Sequence, residues 1–266
     1  MKKYPGEEKT NLRLRPELPA DRYAVESLTR EAFWDTFWEP GQQICDEHLL
    51  VHRLRKSPNY VPELNYVAEQ NGKLVGHIIY SKSKIIDPAG NPHETLTFGP
   101  LSVLPEYQGQ GIGKALMLHT FGVATRLGFR AVLIFGHPDY YPRVGFRRAA
   151  EFGITFKDVL PFDAFMAYPL YPGALEVISG SYHLDPVYES LTQEAALEFD
   201  KLFPPRERHT PAPVSILLNR LSPPARKAVE ALNFKTLAQM KTKSLRELSA
   251  LDGIDAEAIE TILGLI

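Results

Sequence analysis

Apolar positions along the first hundred residues switch between two periods. Asn11 to Arg15 alternates apolar and polar side chains, as a half-buried strand does, and Pro19-Ala20-Asp21 leads into a helix-periodic stretch from Arg22 to Phe37. A second short helix is expected over Ile44 to Leu54. Tyr66 to Glu69 and Leu74 to Tyr80 read as a hairpin, because Asn71-Gly72 supplies the positive-φ pair that a two-residue turn requires. Thr95 to Val103 is a further strand, and Gly99-Pro100 in its middle marks a bulge or an edge rather than regular pairing.

The stretch LSVLPEYQGQGIGKAL, Leu101 to Leu116, changes character within a few residues. A β-branched run stops at Leu104-Pro105, glycines follow at 109, 111 and 113, and a helical pattern begins at once. From Ile112 the apolar positions fall at Leu116, Val123 and Leu127, with Ala115 and Ala124 beside them, and Gly128 closes the helix. Glycines here let several N–H groups converge, and the helix start adds unsatisfied donors and a positive dipole end. Such a turn suits phosphate oxygens.

Spacing discriminates among the phosphate loops. A nucleoside-triphosphate loop fails twice, since Lys114 is followed by Ala115 and Gln108 stands where its first glycine should be. The dinucleotide fingerprint needs G-x-G-x-x-G, whereas the glycines here run G-x-G-x-G. Gln108, Gly111 and Gly113 do satisfy Gln/Arg-x-x-Gly-x-Gly/Ala behind a Val-x-Pro strand exit. This resembles the acyl-CoA pyrophosphate loop of the GNAT superfamily of N-acetyltransferases. Past the next strand, Ala131 to Phe135, Tyr140-Tyr141-Pro-Arg-Val-Gly145-Phe146 is similar to that family's Tyr-x-x-x-Gly-Phe element, in the same order along the chain.

The resemblance implies an α/β (α+β) fold: a mixed, mostly antiparallel sheet with splayed central strands flanked by helices, followed here by a small all-α C-terminal domain. It places Gly99-Pro100 where two central strands part and a pantetheine arm completes the pairing. Short apolar stretches at Gly153 to Phe156, Phe162 to Tyr168 and Leu175 to Ser179 resemble an extra strand pair found in a bacterial subgroup of predicted acetyltransferases. The acetyltransferase domain is therefore set at residues 1–183. Residues 184–212 form a connector, with a helix from about Thr192 and a proline-rich linker from Pro204. Residues 213–266 carry helix-start signals at Ser222-Pro223, Thr236-x-x-Gln239, Ser244-x-x-Glu247 and Asp255. They resemble helix-hairpin-helix domains, including that of the RNA polymerase α subunit, with Leu251 to Asp255 as the hairpin.

The implied chemistry is direct attack of a neutral amine on the acetyl-CoA thioester, with acetyl-CoA as cosubstrate and no metal. Backbone N–H groups of Gln108, Gly109, Gln110, Gly111, Ile112, Gly113 and Lys114 would hold the pyrophosphate. Leu101, Ser102 and Val103 would offer N–H groups to the thioester carbonyl as it becomes an oxyanion. The family's general acid aligns with Tyr141, and Tyr140 is its competitor. A phenol with an ordinary pKa of about 10 stays protonated at neutral pH and can protonate a thiolate leaving group. For the base, Glu94 is favoured, and His93, His77, His137 and Asp139 stay open. The first two helices would cover the acceptor. There Phe33 and Phe37, four apart, read as core, while Trp34, Trp38, Glu39 and Asp46 remain candidates.

Composition adds bounds. With 44% hydrophobic and 23% charged residues, 266 residues suffice for one large or two ordinary domains. No run approaches the roughly 18 apolar residues of a membrane span, and the charged N-terminus precedes no apolar stretch, so a cytoplasmic protein is expected. The single cysteine, Cys45, excludes an internal disulfide and reads as a small buried hydrophobe. A net charge of −2, with acidic Asp252 and Asp255 flanking the glycine of the proposed hairpin, disfavours nucleic acid. Expected partners are acetyl-CoA, an amine acceptor and a protein met by the C-terminal domain, with homodimerisation left open. The competing function is a nonenzymatic acyl-CoA sensor acting through that domain.

Overall fold

A computed structural model describes residues 11–35, 43–157, 162–206, 213–240 and 242–265. The chain runs β1 (Leu12–Pro16), α1 (Arg22–Phe33), α2 (Glu47–Leu54), β2 (Tyr66–Gln70), β3 (Lys73–Ile86), β4 (Pro92–Val103), α3 (Ile112–Arg126) and β5 (Ala131–Phe135). It continues through β6 (Arg147–Arg148), β7 (Ile154–Phe156), β8 (Phe165–Pro169), β9 (Gly180–His183) and α4 (Gln193–Asp200). Five short helices end it: α5 (Ser215–Leu218), α6 (Pro223–Ala231), α7 (Leu237–Met240), α8 (Leu245–Ser249) and α9 (Ala256–Leu263).

The strands form one mixed sheet in the order β1-β2-β3-β4-β5-β8-β6, with β9 pairing both β3 and β7. Most pairs are antiparallel; β4 with β5 and β7 with β9 are parallel. Asn71 and Gly72 both take positive φ at the β2–β3 turn, as that dipeptide demands. Alternation along β3 and β4 divides the sheet into two faces. Ile78, Tyr80, Leu96 and Phe98 pack against Ile112, Leu116, Met117 and Phe121 of α3. Val67 and Ile79 pack instead against Val25 of α1 and Leu50, Val51 and Leu54 of α2.

Several elements differ from the sequence-based expectation. Described helix α1 ends at Phe33 with a turn over Trp34 and Asp35; Phe37, Trp38 and Glu39 lie outside the described residues. Leu175 to Ser179 is not a strand; the pairing segment is β9, which follows it directly. The expected extra strand pair is thus β7 with β9, docked on the far end of β3.

The connector is more than a tether. Thr192 caps α4 by accepting the Ala195 N–H, and Ala196 is buried with Trp34, Ile44, Cys45 and Leu49. Arg30 of α1 donates two hydrogen bonds to Asp200, at 2.6 and 3.0 Å. The helical segment has its own core around Leu217, Val229, Met240, Leu248 and Ile262. Ser244 and Glu247 form the expected reciprocal cap, and Asp255 accepts the Ala258 N–H. Thr236 makes only half of its box: Gln239 accepts the Thr236 N–H at 3.1 Å, while the threonine hydroxyl is buried without a partner.

Candidate active site

The site begins where pairing stops. Strands β4 and β5 meet at a single register pair, Leu96 with Val132, and then part. On its other side β4 follows β3 through Leu101, Ser102 and Val103, after a register shift between Ile78 and Tyr80. The expected irregularity at Gly99-Pro100 is therefore a bulge in an interior strand, not an edge. Among the described residues, no strand lies against the β5-facing side of Phe98 to Val103, so its amides are available to another partner.

The glycine turn closes one end of this opening. Gly109 and Gly111 take φ of 74° and 82°, values that cost an L side chain strain, and Gly111 caps α3. The Ala115 N–H makes the bond to the Gly111 carbonyl at 2.9 Å, so Ile112, Gly113 and Lys114 precede any carbonyl one turn back. Their N–H groups and the dipole create a positive terminus, and Lys114 is exposed beside it. Gln108 donates its side-chain amide to the Val103 carbonyl at 3.1 Å, and Gln110 to that of Glu106 at 3.2 Å. Both glutamines thus hold the loop's shape. Gly113 has helical φ but a crowded surround: a Cβ there would stand 3.3 Å from the Tyr140 hydroxyl, 3.6 Å from Leu101 and 3.7 Å from Val103.

Two tyrosines border the opposite side. A Cβ at Gly136 would overlap the Tyr141 ring, so this glycine lets the ring cross the end of β5. Phe146 and Phe98 flank Tyr141, with ring centroids 5.4 and 6.0 Å away. Among the described residues the Tyr141 hydroxyl has no hydrogen-bond partner, and burial raises its pKa above the ordinary phenol value. Tyr140 is more exposed and touches the start of α3.

A model of the acetyltransferase (GNAT) family matches residues 28–148, the segment from α1 through the tyrosine turn. That match covers somewhat under half of the chain. The chain is 28% identical over 173 residues to the uncharacterized N-acetyltransferase YhbS of Escherichia coli K12, covering 64% of this chain and 95% of YhbS. It is 35% identical over 101 residues to the uncharacterized N-acetyltransferase YjhQ of the same organism, covering 38% of this chain and only 55% of YjhQ. The crystal structure of E. coli YhbS in complex with CoA superposes with a TM-score of 0.60 at 24% identity, over 71% of this chain and 98% of that one. A GNAT acetyltransferase from Brucella melitensis in complex with acetyl-CoA gives 0.51 at 25% identity, over 67% and 99%.

The fold does not bring the other candidates together. Glu94 is exposed, pairs with Lys82 at 3.1 Å, and stands five residues from Gly99, roughly 16 Å along an extended strand. The structure thus separates this favoured base from the tyrosines. His93 is held by Asp87 at 3.0 Å. The His137 Nδ1 accepts the Asp139 N–H at 3.2 Å, and Asp139 accepts the Leu245 N–H at 3.2 Å. His77 is fully buried against Asn65, and desolvation holds it neutral.

Trp34, a candidate acceptor contact, is core: it is 1% exposed, with the Arg30 guanidinium 4.3 Å above it. Cys45 is buried as expected, and desolvation pushes its thiol pKa up. Two groups escape sequence reasoning. Glu47, the first residue of α2, has a buried carboxylate oxygen without a partner, and desolvation raises its pKa to about 8. Tyr188, in the 3₁₀ turn Pro186–Glu189, reaches Gly99 from the α1/α2 face. A lone acidic residue near a helix start, or a tyrosine beyond the last strand, carries no sequence signal of either placement.

Proposed function

We propose that this protein transfers the acetyl group of acetyl-CoA to a primary amine by direct attack. The observation that carries the reading is the convergence at one opening of three things. These are the unpaired edge of β4, the amide-lined start of α3 and the unpartnered Tyr141 hydroxyl. Relatives crystallised with CoA and with acetyl-CoA support the same ligand here.

In this reading the pyrophosphate lies on the N–H groups of Gly109 to Lys114, and the pantetheine amides bond to the open edge of β4. An N–H of the Leu101 to Val103 segment stabilises the oxyanion. The amine nitrogen forms the new C–N bond, the C–S bond breaks, and the thiolate takes the Tyr141 proton. The surplus proton on nitrogen leaves to water. Burial favours the protonated phenol, which suits an acid that must arrive at the thiolate still carrying its proton.

The test is release of free CoA from acetyl-CoA with a panel of amines. Tyr141→Phe is expected to lower kcat at least tenfold while leaving CoA affinity within about twofold. An unchanged kcat would remove Tyr141 from the chemistry.

A second reading, an acyl-CoA sensor acting through the helical segment, draws on one contact. Leu245 donates its N–H to Asp139, and Ser244 its hydroxyl to Asp163 at 3.1 Å, so α8 abuts the turn that carries both tyrosines. We assign residues 213–266 a protein-contacting role of helix-hairpin-helix type. CoA binding without turnover, together with a partner lost on removing this segment, would favour the sensor.

A further inference from the structure

Residues 137–144, between β5 and β6, carry both tyrosines, and their hydrogen bonds stay almost entirely inside the turn. The Tyr140 and Tyr141 N–H groups both go to the His137 carbonyl, at 3.1 and 3.4 Å, and the Arg143 N–H goes to the Tyr140 carbonyl at 3.1 Å. The His137 ring accepts the Asp139 N–H at 3.2 Å. Among the described residues, one hydrogen bond ties this turn to a distant part of the chain. The Leu245 N–H donates to Asp139 Oδ2 at 3.2 Å, across 106 positions of sequence.

A second contact runs beside it. Ser244 shares its hydroxyl between Asp163 and Glu247, each at 3.1 Å, so the residue that caps α8 also reaches the loop ahead of β8. Arg148 of β6 approaches the other oxygen of Asp163 at 3.5 Å, and the neighbouring Ala164 carbonyl accepts the Gly136 N–H at 3.0 Å. Ser244 is only 3% exposed, whereas the cap of a helix lying free on a surface faces water. Two carboxylates from separate loops thus meet adjacent residues of α8, and the cap is sealed between them.

The tyrosine turn needs such an anchor. Phe98 and Phe146 flank the Tyr141 ring, but ring packing leaves the backbone behind it free to shift. A catalytic group has to be held within about 0.5 Å of its productive position, and a misplacement of about 1 Å can cost a hundredfold in rate. Asp139 and Tyr141 both bond to His137, so fixing the Asp139 carboxylate fixes the segment that aims the phenol.

We propose that Asp139 is a positioning residue for Tyr141, clamped by the Leu245 N–H of α8. The clamp rests on the transferase reading and gives the helical segment a role within it. Asp139 touches no reacting atom; it holds the backbone from which Tyr141 extends.

Leu245→Pro in the full chain removes the donor alone. Leu245 is the first residue of α8, where proline is tolerated, and Ser244 at φ −70° and ψ 158° already has the extended backbone that a following proline requires. With the amine that the native protein uses best, kcat should fall about five- to tenfold while KM for acetyl-CoA and CoA affinity hold within about twofold. Asp139→Ala should match this loss, and Asp139→Asn should keep at least about half of the native rate, because an amide oxygen accepts the N–H but cannot act as a base. Hydrogen exchange gives a readout that needs no turnover: the Asp139 to Tyr141 amides should exchange at least about fivefold faster in Leu245→Pro. Unchanged exchange or unchanged kcat in that variant would overturn the clamp. Equal losses in Asp139→Asn and Asp139→Ala would also overturn it, by making the carboxylate itself the active group. The Asp139 pair decides if Leu245→Pro folds poorly. A native protein that binds CoA but acetylates no amine would instead sink the transferase reading, and the positioning role with it, even where exchange still reports the contact.

Discussion

Gly113→Ala separates the coenzyme role of the glycine turn from its structural role. Gly113 is already helical, so alanine brings no backbone strain and gains up to about 1 kcal/mol of helix propensity. Its methyl would stand 3.3 Å from the Tyr140 hydroxyl, tighter than ordinary contact, but that hydroxyl ends a half-exposed side chain that can shift by a few tenths of an ångström. The two effects offset, and thermal stability should change by less than about 1 kcal/mol. Binding should behave differently. The methyl would occupy space between α3 and the Leu101 and Val103 side chains, where the proposed reading brings the coenzyme arm to the helix start. Displacing the diphosphate from one charge-assisted N–H bond costs about 1.5–3 kcal/mol, a loss in CoA affinity of roughly ten- to over a hundredfold. Calorimetric titration of CoA beside a thermal melt reads both quantities. Native affinity in the variant would show that the diphosphate does not rest on this turn. By contrast Gly111→Ala, at φ 82°, should lower stability itself by about 1–2 kcal/mol.

Three further outcomes test the wider frame. Glu47 has a folded pKa of about 8 against an ordinary value near 4.3, so between these pH values the unfolded chain has lost a proton that the native state retains. Its carboxyl therefore lowers stability progressively as pH rises from about 4.5 to 8, and Glu47→Gln should raise the melting temperature at pH 8 but not at pH 4.5. A gain of equal size at both pH values would refute a buried neutral carboxyl. Asp200→Ala leaves Arg30 buried and unpaired, and a loss of about 2–4 kcal/mol in denaturant unfolding is expected. A loss below about 0.5 kcal/mol would return α4 to the status of a loose connector. Removal of residues 213–266 deletes the donors to Asp139 and Asp163 but no part of the opening, so CoA affinity should hold within about threefold. A collapse of CoA binding would show that the helical segment completes the site.

What was legible in the sequence follows from which interactions are local. The strand, glycine turn and helix from Leu101 to Arg126 could be read because their causes sit within a few residues: the Gly111 φ, the Asn71-Gly72 turn, the caps at Ser244 and Asp255. Gly99-Pro100 announced an irregularity, but whether it fell on an edge depended on β5, some thirty residues later. Glu94 looked close to the chemistry by sequence order. Its distance from the bulge depends on the length of β4, which begins at Pro92 rather than Thr95. Trp34 sat on a helix expected to cover substrate, and its burial depends on Ala196 and Arg30, partners that no helical period reveals.

The placement of α4 carries the larger consequence. Beyond Leu96, where the strand pair parts, β4 has Tyr141 against Phe98 on one face and Tyr188 against Gly99 on the other. On the proposed reading the coenzyme side is set by the helix start and the Tyr141 hydroxyl, which are products of local sequence. The other side is shaped by a segment beyond the last strand: Tyr188 reaches the bulge, and the Arg30–Asp200 clasp draws the chain over α1 and α2. That face thus owes its shape to Pro186 to Phe203 and not to the glycine-lined loop that first marks the fold. Tyr188→Ala should therefore lower stability and leave CoA affinity within about twofold, whereas Gly113→Ala should weaken CoA and leave stability nearly unchanged. If both substitutions changed stability and CoA affinity in parallel, the sheet would be acting as one surface, and the division of labour between its faces would fall.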